Sequence, residues 1–155
     1  MLNKRKIYRS VIAVVTALLL LFCSSCGKKE PDSQAYAYLE VFKSVTDDIA
    51  NSKIKCIVVN LTNVLHEHPI YIQKLIEDYA KEYGVKILWN VNREKYVPSE
   101  NSYLIIFEDI ELTETHLKTD MTRWSAPLAA AGFIYTAEKE DGNWTITDYE
   151  FTWIS

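Results

Sequence analysis

AAGFIYTAEKEDGNWTITDYEFTWIS, residues 130–155, is the stretch that decides the fold. Two apolar-rich runs flank Asp141-Gly142, a dipeptide suited to a two-residue hairpin turn with both central residues at positive φ. A hairpin closed there sets Glu140 opposite Asn143, Ala137 opposite Ile146 and Tyr135 opposite Asp148. Phe133, Tyr135 and Ala137 then share a face with Trp144 and Ile146. Tyr149, Phe151 and Trp153 have the opposite parity, since side chains alternate with a period of two. One extra residue near Thr147-Asp148, a β-bulge, returns all three to the Phe133 face. Gly132 is expected where a large ring, Tyr149 or Phe151 across the strand, packs over bare backbone.

The rest of the chain supplies partners for this hairpin. Tyr38, Phe42, Val45 and Ile49 recur at helical spacing with Leu39 beside them, which predicts a helix capped by Asp32 or Ser33. Asp47-Asp48 fall off that stripe and are expected in water. Ile54–Leu61 reads as a buried strand covered on both faces. Ile70–Tyr83 predicts a second helix, with Ile72, Leu75, Ile76, Tyr79, Ala80 and Tyr83 on one side and Gly84 ending it. Val85–Val91 alternates, placing Val85, Ile87, Trp89 and Val91 together. Strand, helix and strand over this length form a βαβ unit with parallel strands. Tyr103–Phe107 is the expected central strand, extending towards Leu112. Residues 113–129 admit either a short helix over Thr115–Trp124 or a strand from Lys118, in which Met121 and Arg123 share one parity. These elements give an α+β, two-layer fold, with two main helices packed on one face of a mixed, mostly antiparallel sheet and a C-terminal β-hairpin.

The first residues read differently. Lys4, Arg5, Lys6 and Arg9 precede Val11–Phe22, a run that is apolar apart from Thr16, and Cys23-Ser24-Ser25-Cys26 follows. A basic start, a short apolar core and a small-residue exit describe an export signal. The apolar run is shorter than the ~20 residues that comfortably span a bilayer; an uncleaved anchor helix is the alternative. The exit resembles a bacterial lipoprotein signal, with Ser24 and Ser25 at the small positions, Cys26 at the cysteine and Cys23 where leucine is usual. That resemblance implies cleavage before Cys26, diacylation of its thiol, and export to the cell membrane or outer membrane, with two or three acyl chains giving stable attachment. The division that follows is signal peptide 1–25, lipidated Cys26 and tether 26–33, and one domain over 34–155. Ala131-Gly132-x-x-Tyr135, Gly142-Asn143-Trp144 and Trp153-Ile154-Ser155 also resemble the hairpins that end uncharacterised secreted lipoprotein domains. G-x-W hairpins close many NTF2-like and cystatin-like domains too, though the strand–helix–strand centre is not the usual NTF2-like order. The resemblance implies no activity.

Removing the four basic leader residues leaves 13 Lys and Arg against 21 Asp and Glu, a net charge near −8. Such a domain repels nucleic acid and acidic headgroups. With Cys26 lipidated, Cys56 is the remaining thiol, so no internal disulfide forms; among β-branched neighbours it reads as a small buried hydrophobe. The four glycines, at 27, 84, 132 and 142, are too scattered for a phosphate-cradling loop.

Three groups of residues are candidates for chemistry. His66-Glu67-His68 is the most metal-like string, since two histidines at i, i+2 of an extended segment can converge on a cation if a third ligand such as His116 joins them. The competing reading is an exposed polar connection leading into the second helix. Glu108, Asp109, Glu111 and Glu114, with His116 beyond, form a carboxylate run in which Asp109 and Glu111 share a parity and are expected to face water. Trp124 beside Arg123 suits a binding patch, because tryptophan and arginine anchor interfaces and stack on sugars or peptides; His116 is a further candidate contact. No catalytic triad, nucleophile elbow or cofactor signature is present. The expectation is a lipid-anchored binding or structural module that takes an envelope protein, glycan or peptide. A small histidine-using or metal-dependent hydrolase and an immunity or inhibitor-like protein are the alternatives.

Overall fold

The computed structural model describes residues 32–91, 96, 98–126 and 129–155. The expected signal, Cys26 and most of the tether lie outside them. Helix α1 (Ala35–Val45) is followed by a short 3-10 turn, then β1 (Cys56–Asn63), α2 (Pro69–Glu82), β2 (Lys86–Trp89), β3 (Ser102–Leu112), β4 (His116–Ala126), β5 (Ala129–Glu140) and β6 (Asn143–Ile154). The strands form one six-stranded sheet in the order β2-β1-β3-β4-β5-β6. β1 pairs parallel with β2 and with β3, and the remaining neighbours are antiparallel. This is the α+β arrangement expected, with β3 near the centre. The undecided stretch after Thr113 is a strand rather than a helix, and Met121 and Arg123 do share its parity.

Both helices pack on one face. Tyr38, Phe42, Val45, Ile72, Ile76 and Ala80 meet Ile57, Val59, Tyr103, Ile105, Phe107, Leu117 and Met121 in the main core. Burying side chains of this size contributes about 1.5–3 kcal/mol each, which outweighs the modest propensities of the segments themselves. α1 is shorter than its stripe implied: it stops at Val45, the Thr46 hydroxyl donates to Phe42 O (2.7 Å), and the 3-10 turn Ile49–Asn51 carries Ile49 into the core. Its first turn begins after both expected caps, and Asp32 Oδ1 accepts from the Gln34 N–H (3.2 Å). α2 has Pro69 at its start, where the missing N–H costs nothing, and is followed, just past its Tyr83 C-cap, by Gly84 with φ +66°.

The opposite face carries a smaller cluster of Val58, Leu104 and Ile106, against which Leu88, Val91, Tyr96 and Trp124 pack. Val91 therefore does not join Ile87 and Trp89. Asn90 adopts φ +50°, which breaks the alternation, and its side-chain oxygen accepts from the Leu61 N–H (2.9 Å).

The C-terminal hairpin turns at Asp141-Gly142 with φ +51° and +84°. Glu140 faces Asn143 and Ala137 faces Ile146, and the register shifts at Thr147. With that extra residue Tyr135 pairs with Tyr149, rather than with Asp148, and Phe133 with Phe151. A second shift, at Thr152, sends Trp153 to the other face, opposite Gly132, and brings Ile154 back beside Ala131. The ring over Gly132 is thus Trp153, not Tyr149 or Phe151.

Candidate functional site

The expected Trp124–Arg123 platform does not assemble. The two are consecutive strand residues and point to opposite faces. Trp124 is half-buried against Val58, Leu104 and Ile106. Arg123 lies on the helix-bearing face, where one guanidinium nitrogen donates to Val45 O (2.8 Å) and another to Asp48 Oδ2 (2.8 Å). The guanidinium sits 4.0 Å from the centre of the Tyr103 ring, and the Tyr103 hydroxyl donates to the same Asp48 oxygen (2.7 Å). Asp48 is therefore not simply solvated. Burial acts to raise its pKa, but the Tyr103 and Arg123 hydrogen bonds and the guanidinium charge outweigh it and hold the carboxyl below its ordinary value. His116 belongs to neither group. It lies at the far end of β4 on the Trp124 face, roughly 26 Å along the strand at ~3.3 Å per residue, with Nδ1 3.8 Å from Glu138 Oε1.

The metal-like string also separates. His66 is buried, and its Nδ1 accepts from the backbone N–H of His68 (2.9 Å). His68 is exposed and sets its ring edge-on to Tyr71. Among the described residues no three His, Cys, Asp or Glu side chains are grouped to hold a metal ion. His66 is not part of an exposed connection, as the polar string suggested; it stands edge-on to Tyr38, with Nε2 3.6 Å from Asp32 Oδ2. The Nδ1 contact leaves the neutral ring's proton on Nε2. Burial is the main cause of a lowered His66 pKa, opposed by the Asp32 charge.

Asp109 joins this interior cluster. The β3–β4 register shifts between Asp109 and Glu111, so the two residues do not share a face. Asp109 turns under the helices, where it accepts from the Tyr38 hydroxyl and from the Leu65 N–H (2.7 Å). Burial pushes its pKa up despite those bonds, and burial followed by the Asp109 charge pushes the Tyr38 pKa up. Tyr38, Asp109 and His66 stitch α1, β3 and the β1–α2 connection together. Cys56, half-buried, has its thiol pKa raised by burial, partly offset by Lys86, the opposite of the lowered pKa that activates a thiol.

The feature that the sequence did not place is an aromatic groove on the helix-bearing face. Because α1 stops at Val45, the far half of the hairpin is left uncovered. Tyr135 and Tyr149 stack at 24° with centres 6.0 Å apart, and Phe133 and Phe151 meet edge-on at 5.5 Å. Tyr149, Phe151 and Ile154 are 64%, 52% and 75% exposed. A cavity of about 350 Å³ opens between these rings and the end of α1, floored by Phe133, Tyr135 and Tyr149 and walled by Ser44, Val45, Asp47 and Arg123. A second hollow of about 210 Å³ shares Arg123 and Phe133 with it and continues to Ala131 and Ile154. Runs of exposed rings beside polar groups are what binding surfaces present, whereas single exposed apolar residues are ordinary. The signal for this groove was in the sequence, in the bulge at Thr147 that brings two aromatic strands to one face.

No family model, curated protein or solved structure matches this chain.

Proposed function

We propose that the protein is a lipid-anchored envelope protein whose domain acts as a binding module, presenting the Phe133–Tyr135–Tyr149–Phe151 groove to a partner. The observation that carries the binding reading is the exposure of Tyr149, Phe151 and Ile154 on a face whose other half is buried under helices. Supporting the location are the basic start, the apolar run Val11–Phe22 and the lipobox-like Ser24-Ser25-Cys26. Anchored through acyl chains on Cys26, the domain would sit close to the cell membrane or outer membrane, since seven extended residues reach about 25 Å.

Two experiments test this. Intact-mass measurement on the membrane fraction should give a mature chain beginning at Cys26 with added diacylglycerol, lost in Cys26→Ala; a wild-type chain at full unprocessed mass overturns the anchor. A photo-crosslinking amino acid placed at Tyr149 should yield discrete adducts in envelope preparations, while the same group at Lys74, exposed on α2, should not. Equal labelling at both positions overturns the groove as the binding surface.

A further inference from the structure

Resting on that reading of the groove, we infer that its occupant is an arginine side chain carried by a partner polypeptide. The domain already displays the geometry for holding one. Arg123 lies over the Tyr103 ring and is backed by the Asp48 carboxylate and the Val45 carbonyl at the end of α1. Next to it, in a cavity that Arg123 also lines, a ring and a carboxylate recur with no second cation among the described lining residues. Tyr149, stacked on the buried Tyr135, offers an exposed ring, and Asp47, the neighbour of Asp48, walls the cavity.

The charge balance of the lining favours a cation. Arg123 and Asp47 are its charged members. Arg123 is engaged by Asp48, whereas Asp47 is exposed and has no ion pair among the described residues. One uncompensated negative charge beside electron-rich ring faces attracts a cation. The net charge near −8 outside the leader acts in the same direction over longer range. Arginine suits the site better than lysine, since its planar guanidinium stacks on rings while donating to a carboxylate. A second copy of this chain is a poor occupant. Pairing one β6 edge with another about Tyr149 would set Asp148 against Glu150, and like charges directly opposite are destabilising.

The test uses the full-length protein in a non-ionic detergent, followed by NMR of its aromatic side chains. The probes are acetyl-Gly-Arg-Gly-amide, the same peptide with neutral citrulline in place of arginine, and the uncharged glycan chitotriose. The arginine peptide should shift the rings of Phe133, Tyr135 and Tyr149, with affinity falling as salt rises. Citrulline, Asp47→Asn and Tyr149→Leu should each weaken binding by about fivefold or more. Both substituted positions are exposed, so the fold is retained. Equal binding of the citrulline peptide, no effect of Asp47→Asn, or no ring shifts with any probe overturns the inference. Tighter binding of chitotriose at the same rings overturns it too, while leaving the groove intact as a binding surface.

Discussion

The indole of Trp153 occupies the space that a β-carbon on Gly132 would fill. Glycine inside a strand is otherwise a weak choice, since it loses more backbone entropy than any other residue and contributes no packing. Here it lets a ring lie across the sheet on the face away from the helices. Gly132→Ala should therefore cost about 1–3 kcal/mol through overpacking. In a Trp153→Ala background the same change should be neutral or slightly stabilising. Urea unfolding of the four proteins in this cycle measures the coupling, and additive costs would refute it.

Tyr38 and Asp109 should behave as a unit. Removing the hydroxyl in Tyr38→Phe takes a donor from a buried carboxylate and is expected to cost about 1–3 kcal/mol. Asp109→Asn keeps an oxygen for the Tyr38 hydroxyl and the Leu65 N–H and removes the buried charge. Because burial raises the Asp109 pKa, its ionised form is disfavoured in the folded state, so Asp109→Asn should gain on wild type at pH 7. That gain should shrink as pH falls through the raised pKa and wild-type Asp109 takes up its proton. Unfolding free energies at pH 7 and pH 4 decide the matter.

His66 should act in the opposite direction. Its folded pKa is lowered from 6.5, so the unfolded chain binds the proton more readily. The contribution is present in full above the unfolded value and is lost as pH falls below it. Protonating Nδ1 would also turn it against the His68 N–H that it accepts. His66→Gln should flatten the loss of stability between pH 7.5 and pH 5, with Asp109 opposing that loss in both proteins. An unchanged slope would show that His66 does not control it.

Arg123 fastens the end of α1 to the sheet through Val45, Asp48 and Tyr103. The Arg123–Asp48 pair is partly exposed, so its Coulombic share is screened, and the ring and carbonyl contacts carry much of the effect. Arg123→Ala should cost about 1–2 kcal/mol. Arg123→Lys should recover less than half of it, because an ammonium cannot lie flat on Tyr103 and donate to two acceptors at once. Thermal unfolding of the two variants tests the ranking.

Local rules reached much of this fold. Asp141-Gly142 fixed the turn, Gly84 the end of α2, the β1–α2–β2 spacing a parallel pair, and the conflict of parity at Tyr149 the bulge at Thr147. The errors cluster where a single residue resets that parity. Asn90 moved Val91, the shift after Asp109 turned Glu111 away from the helix face that Asp109 shares with Ile105 and Phe107, and the shift at Thr152 reversed Trp153. Asn90, Ile110 and Thr152 carry no composition that announces such a step. Alternation itself separates Arg123 from Trp124, so adjacency in sequence was misleading for a strand. His66 was missed because a polar string beside proline reads as surface, and only the tertiary placement of Tyr38 and Asp109 gives it an interior.

The parallel strands have a consequence for how the chain acquires its shape. β3 to β6 follow one another through short connections, so their pairings are local. β1 meets β3 across 46 positions, from Cys56 to Ser102. Closing so long a loop is slow, and nonlocal pairings delay folding. Synthesis delivers α1, β1 and α2 before the strand that receives them exists. Until Ser102–Leu112 has been made, β1 has the four-residue β2 to pair with. During that interval its hydrophobic edge is open to wrong partners, and the antiparallel half, though later in the chain, is the half able to close first.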